Sequence, residues 1–135
     1  MDKGEVLVAV EIPGEMGGRH SAYRKHGIRK ALDAAVAGVA VSLRASRETR
    51  RCDDVRIALG AVGPVPARAA AAEKVLRGEI LDERRIAATA EAAARECRPM
   101  TDVRAGAGYR RDMVGVLTRR ILAGFSVRLC EEEKR

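Results

Sequence analysis

His20, Ser21, Tyr23, Lys25, His26 and Arg29 fall in one short polar stretch, and these are the side chains with which this chain could do chemistry. A serine nucleophile needs a base within reach and a third group to orient that base. Ser21 has the chain's two histidines nearby, but no G-x-S-x-G turn and no evident third member. Asp53 and Asp54 form a carboxylate pair, yet they precede a β-patterned run and read as a hairpin cap rather than a proton-transfer couple. Tyr23, Lys25 and Arg29 suit an anionic or planar ligand; they are equally readable as surface residues with snorkelling stems. Cys52, Cys97 and Cys130 are odd in number and lack a Cys-x-x-Cys pair, which points to reduced thiols rather than a disulfide frame, zinc site or iron–sulfur site. Gly14, Gly17 and Gly18 miss the G-x-G-x-x-G spacing of a phosphate cradle. Taken residue by residue, the chain reads as a non-catalytic module.

The frame that must position these residues is legible in the periodicity. Glu5 to Ile12 alternates, with Val6, Val8, Val10 and Ile12 on one side, and predicts a strand ended by Pro13 and Gly14. Gly14 to Gly27 reads as a loop, either a mobile surface one or one facing a ligand. Asp33 to Leu43 is small and apolar throughout, so helix and strand both fit. Gly38 and the need of the opening strand for a neighbour favour a central strand. Arg44 to Arg51 is a charged connection returning the chain antiparallel into a strand over Val55–Leu59.

Pro64 and Pro66 then break the ladder, and Pro66 fits the first turn of an Ala-rich helix that stops at Gly78. Asp82 reads as the N-cap of a second helix reaching about Arg98, with Ile86, Ala90, Ala93 and Cys97 as its apolar stripe. A third helix runs from Tyr109 to about Leu129, with Met113, Leu117 and Ile121 on one face and Val114, Val116 and Phe125 beside them. Strands first and helices afterwards predict an α+β fold, an antiparallel sheet of about three strands packed against three C-terminal helices.

At 135 residues the chain is read as one domain, 1–135, with its core over about 5–129. Aromatic residues make up only 2%, so the core must be built from Ala, Val, Leu and Ile. The longest apolar run, Ala34 to Val41, is too short to span a bilayer, and no signal peptide opens the chain, so no membrane and a cytoplasmic location are expected. A net charge of +7 raises nucleic acid as a partner, but interleaved acids and scarce stacking residues weigh against it. Self-association stays open.

One family matches these pieces in order. Ser21-Ala22-Tyr23-Arg24-Lys25, then Arg29, Ala31, Asp33 and the apolar run to Val41, resembles the opening of the C-terminal domain of molybdenum-hydroxylase flavin subunits. These are the medium subunits of carbon monoxide dehydrogenase and of bacterial xanthine dehydrogenase. The resemblance continues through Arg56-Ile57-Ala58-Leu59-Gly60, Pro64, Pro66, Arg68 and Ala69, then Glu73, Leu76 and Gly78. It closes with Pro99, Asp102, Arg104 and Tyr109-Arg110-Arg111, covering roughly Glu5 to Leu122.

The resemblance implies a subunit that holds FAD mainly in two upstream FAD-binding domains, against which this domain packs. Electrons from a substrate hydroxylated at a molybdopterin centre in one partner subunit pass through [2Fe–2S] clusters in another to the flavin, and leave to an acceptor. It makes Lys25 the candidate for direct FAD contact, with Tyr23 and Arg29 as loop supports. It also implies that Asp102, Arg104 and Tyr109 fix the loop before the last helix. The isolated chain is expected to be inactive, with the upstream domains absent from it. The other reading is a free-standing basic module using Arg19–Lys30 on an anionic partner such as nucleic acid. One departure stands out: Ala105-Gly106-Ala107-Gly108 replaces the Gly-Ser-Ala-Glu of relatives, which removes a serine N-cap and should weaken the last helix by about 1 kcal/mol.

Overall fold

The computed structural model describes residues 2–12, 18–29 and 33–133. Four strands form an antiparallel meander in chain order: β1 (His20–His26), β2 (Ala37–Ala45), β3 (Cys52–Gly60) and the short β4 (Ala67–Arg68). Three helices follow, α1 (Ala70–Leu76), α2 (Glu83–Glu96) and α3 (Ala107–Glu133). The α+β class stands, with four strands in place of about three.

The pairing register explains the layers. Val39, Val41 and Leu43 of β2 lie opposite Leu59, Ile57 and Val55 of β3, and all six are buried. That face carries the helices: α3 packs on β2 and α1 on β3. Val114, Leu117, Ile121, Leu122, Phe125 and Leu129 of α3 are buried in the same core. Val116, placed beside that face by periodicity, is instead 38% exposed. The intervening positions on the sheet, Gly38, Ala40 and Ser42 on β2 and Arg56, Ala58 and Gly60 on β3, point to the other face, which none of the described helices covers.

Three expectations about the chain are corrected. Residues 5–12 form neither strand nor helix among the described residues, and Val8 is 94% exposed. The segment has the right period but pairs with no described strand, and an unpaired strand has no ladder to hold it. Pro13 and Gly14, expected to end it, lie outside the described residues. Second, His20–His26 is not loop but β1, paired along its length with β2. Its alternation was hidden because it is an edge strand rich in exposed polar side chains, the composition that protects an edge from aggregation. Third, Pro66 stays outside α1, because the chain remains extended through Ala67 and Arg68 to pair with Leu59 and Ala58.

Elsewhere the local chemistry holds. Gly78 takes the left-handed conformation after α1 (φ +79°), and its N–H donates to the Cys52 carbonyl at 2.7 Å. The Asp82 side chain accepts from the Arg85 N–H at 2.7 Å, capping α2. The weakened start predicted for α3 meets a substitute: Thr101 Oγ1 accepts the Ala107 N–H at 3.0 Å from the preceding loop. Helix α1 has no cap of its own, and Glu96 at the end of α2 reaches across to accept the N–H groups of Ala71 and Ala72 at 3.0 and 2.9 Å.

Candidate functional site

Register decides what the uncovered face presents. Ser21, Tyr23 and Lys25 of β1 lie opposite Ser42, Ala40 and Gly38, so all three side chains rise from the uncovered face. Tyr23 is 63% exposed and its ring leans over Gly38, where an added Cβ would stand 2.9 Å from the tyrosine hydroxyl. Gly38 therefore gives Tyr23 its position. Beyond it Ala40 and Ala58 make a floor of small side chains, walled by Tyr23 on one side and by Arg56 and Arg68 on the other. The result is a shallow, largely apolar concavity of about 410 Å³.

The cations at its rim are not equivalent. Arg68 donates to the buried Glu73 carboxylate at 2.6 Å, and Arg56 lies 3.2 Å from Asp54. Arg19, expected to serve a basic binding loop, has a side chain only 5% exposed and spent against the sheet: it donates to Asp54 at 2.6 Å and to Ser42 Oγ at 2.9 Å. The Arg19 hydrogen bond holds the Asp54 carboxyl below its ordinary range, so the Asp53/Asp54 pair supplies no proton-transfer couple. Ser21 Oγ donates to Ser42 Oγ at 2.8 Å and has no histidine partner.

The site residues named from sequence separate into two groups. Tyr23 and Lys25 share the uncovered face, and Lys25 Nζ donates to the Asp33 carbonyl at 3.1 Å. Arg29 sits beyond the end of β1, where its backbone N–H donates to the Asp33 carboxylate at 3.0 Å. That bond, with help from the Arg29 and Lys25 charges, keeps the Asp33 carboxyl below the usual carboxylate range. A Cβ on Gly27 would lie 2.0 Å from Asp33 Oδ2, so a larger residue there would push the carboxylate out of this turn. Asp33 thus ties the Lys25 side chain and the Arg29 backbone into one turn, and its part in this was not apparent from sequence. Lys30, the far end of the expected basic loop, lies outside the described residues.

At the same end of the sheet, His26 Nε2 and the Tyr109 hydroxyl are 3.0 Å apart with their rings edge to face. This joins the end of β1 to the first turn of α3. Next to it in sequence, Arg110 anchors a buried polar cluster. The buried Arg110 donates Nη1 to the carbonyls of Val36 (2.9 Å) and Ala61 (3.0 Å) and Nη2 to Asp102 (2.6 Å). Asp102 also accepts the N–H groups of Arg104 and Ala105, and these bonds pull its carboxyl far below the usual range. Asp102 and Arg104 hold the loop before α3, whereas Tyr109, expected to help fix it, meets His26 of β1; the hub is Arg110, which the sequence offered only within the Tyr109-Arg110-Arg111 motif, with no role assigned.

A four-stranded meander backed by three helices, with a tyrosine and a lysine on its uncovered face, defines the class. The family described as CO dehydrogenase flavoprotein C-terminal domain matches residues 21–125, and the chain belongs to it. The carbon monoxide dehydrogenase medium chain of Hydrogenophaga pseudoflava is 34% identical over 122 residues, 90% of this chain and 42% of that protein. The nicotine 6-hydroxylase medium subunit of Paenarthrobacter nicotinovorans is 36% identical over 125 residues, 92% of this chain and 42% of that protein. Among solved structures, carbon monoxide dehydrogenase from H. pseudoflava superposes with a TM-score of 0.71 at 39% identity, over 77% of this chain and 35% of that one. Quinoline 2-oxidoreductase from Pseudomonas putida 86 gives 0.71 at 29% identity, over 78% and 36%. The chain spans about two fifths of the length of the curated relatives it matches.

Proposed function

We propose that this chain works as the C-terminal domain of the FAD-carrying medium subunit of a molybdenum hydroxylase, with 1–135 as one domain. The family match over residues 21–125 carries this reading. Its partners are flavin-binding domains of the kind that fill out the relatives' length, and subunits bearing [2Fe–2S] clusters and molybdopterin. The FAD, when bound, would take electrons from the clusters and pass them to an acceptor. The domain itself contributes binding and shape rather than a reacting group, and alone it is inactive. No described helix is long and apolar enough to cross a membrane, and the cytoplasm is the proposed location.

The uncovered face fits such a role. Its floor of Gly38, Ala40 and Ala58 lets a flat or closely packed surface approach the backbone, which larger side chains would prevent. Lys25 would give the flavin edge its positive neighbour, and the Asp33 carbonyl holds that ammonium in place. Tyr23 would wall the flavin from water, while Arg29 supports the turn through its backbone bond to Asp33. A free-standing nucleic-acid module is not favoured, because Arg19 and Arg68 are engaged by Asp54 and Glu73.

The test is Lys25→Ala in a complete medium subunit carrying this domain. A shifted flavin absorption spectrum and weaker FAD retention are expected. An unchanged spectrum and affinity would remove Lys25 from the site.

A further inference from the structure

Register lays out the concavity on the uncovered face as two rows. Tyr23, Ala40, Ala58 and Arg68 stand opposite one another across the four strands, and Ser21, Ser42 and Arg56 fill the next row. Neighbouring strands lie about 4.8 Å apart, so the two alanines give a floor about as broad as one aromatic ring. Tyr23 closes that floor at one end and Arg68 at the other. Donors remain unspent around it. The Ser21 and Ser42 hydroxyls are 2.8 Å apart and share one hydrogen, while Arg19 Nε donates to Ser42 Oγ. Two hydroxyls carry two hydrogens, so one is left with no acceptor among the described residues. Positive charge is left over too. Arg19 and Arg56 share Asp54, and Arg68 and Arg77 share Glu73, so four guanidiniums meet two carboxylates. Arg68 commits only Nε to Glu73, and its Nη groups meet no acceptor among the described residues.

We propose that this concavity is a binding site for a single aromatic ring that carries a carboxylate. The ring would lie on Ala40 and Ala58 and pack against Tyr23. Its carboxylate would take the spare serine hydrogen and face Arg56 and Arg68, a pairing that the planar fork of guanidinium suits. An uncharged ring would leave these donors unpaired, and a bare inorganic anion would leave the apolar floor empty. The volume of about 410 Å³ falls within the range of small-ligand sites, roughly 300–1,000 Å³. This is not the flavin contact proposed for Lys25. Lys25 stands opposite Gly38, in the row beyond Tyr23, and neither of them lines the concavity.

The test is titration of the full chain, free of FAD, with benzoate, followed by amide NMR shifts. The expected result is saturable shifts confined to the residues around Tyr23, Ala40–Ser42 and Arg56–Ala58, with a Kd of about 1 mM or below. Benzyl alcohol, which keeps the ring, and acetate, which keeps the charge, should each bind at least about tenfold more weakly. Arg56→Gln should weaken benzoate on the order of tenfold and leave benzyl alcohol unchanged. Ala58→Leu fills the floor and should abolish binding. It should leave the melting temperature unchanged, because Ala58 faces away from the helices and lies outside the core. No shifts at about 10 mM benzoate, shifts elsewhere on the chain, or unchanged binding in either variant would overturn the site. Acetate or benzyl alcohol binding as tightly as benzoate would overturn the assignment to an aromatic carboxylate. Each of these failures leaves the flavin-subunit reading standing.

Discussion

Glu73 of α1 accepts the backbone N–H of Ile57, in the middle of β3, at 2.8 Å. Strand β4 is only two residues long and pairs with Ala58 and Leu59, so it ends before it can serve Ile57. The Ile57 carbonyl is taken by the Ala69 N–H at 2.9 Å, and its N–H by a carboxylate. The same carboxylate accepts from Arg68 at 2.6 Å and lies 3.8 Å from Arg77. A buried acid thus finishes the ladder where the strand runs out.

Glu73→Ala should therefore lower stability by about 2 kcal/mol, since it leaves a buried N–H without a partner. The midpoint of urea unfolding would show this as a lower denaturant concentration with an unchanged slope. A loss below a few tenths would mean that water replaces the carboxylate.

Arg110→Met should cost about 3 kcal/mol, because it takes the guanidinium from the Val36 and Ala61 carbonyls and removes one of the donors to Asp102, which keeps the Arg104 and Ala105 N–H groups. Tyr109→Phe, which removes only an exposed bond to His26, should cost less than about 1 kcal/mol. Thermal unfolding of the two variants should separate them clearly.

Ala61 holds φ +60° directly after β3, in the left-handed region that a β-carbon disfavours. Its carbonyl meets Arg110 in that conformation. Ala61→Gly should raise stability, by up to about 1 kcal/mol, and calorimetry would register a higher melting temperature.

Acid should unfold the protein partly through Asp102, Asp54 and Asp33. Their folded carboxyls titrate below the ordinary value of 3.8, so the stabilisation is complete above that value and drains as pH falls through the folded one. Urea midpoints measured downward from about pH 5 should fall steadily, and Asp102→Asn should flatten part of that fall.

Burial pushes the Cys52 thiol up to about 11, and Cys97 also upward. Neither should react with iodoacetamide at neutral pH until the chain is unfolded. Mass spectrometry of the alkylated native protein would locate any label.

The α+β class, the β2–β3 hairpin, the Asp82 cap, the left-handed Gly78 and the buried stripes of α2 and α3 were all present in the sequence alone. Each is set by neighbours within a few residues: a period of two or 3.6, a cap, a glycine that tolerates positive φ. The family resemblance was legible for the related reason that ordered short motifs survive as strings. Tertiary structure alone decided the rest. Among the described residues, edge strand β1 keeps its polar side chains because one long side of it meets no strand, and residues 5–12 have a strand's pattern without a sheet. The roles of Arg110, Glu73, Glu96 and Thr101 rest on backbone groups that the fold brings to them, from Val36 to Arg110 across 74 positions. Lys25 and Tyr23 stand on the uncovered face because the register with Gly38 and Ala40 puts them there. A residue's type states what it can donate or accept; only the fold settles which buried group is left needing it.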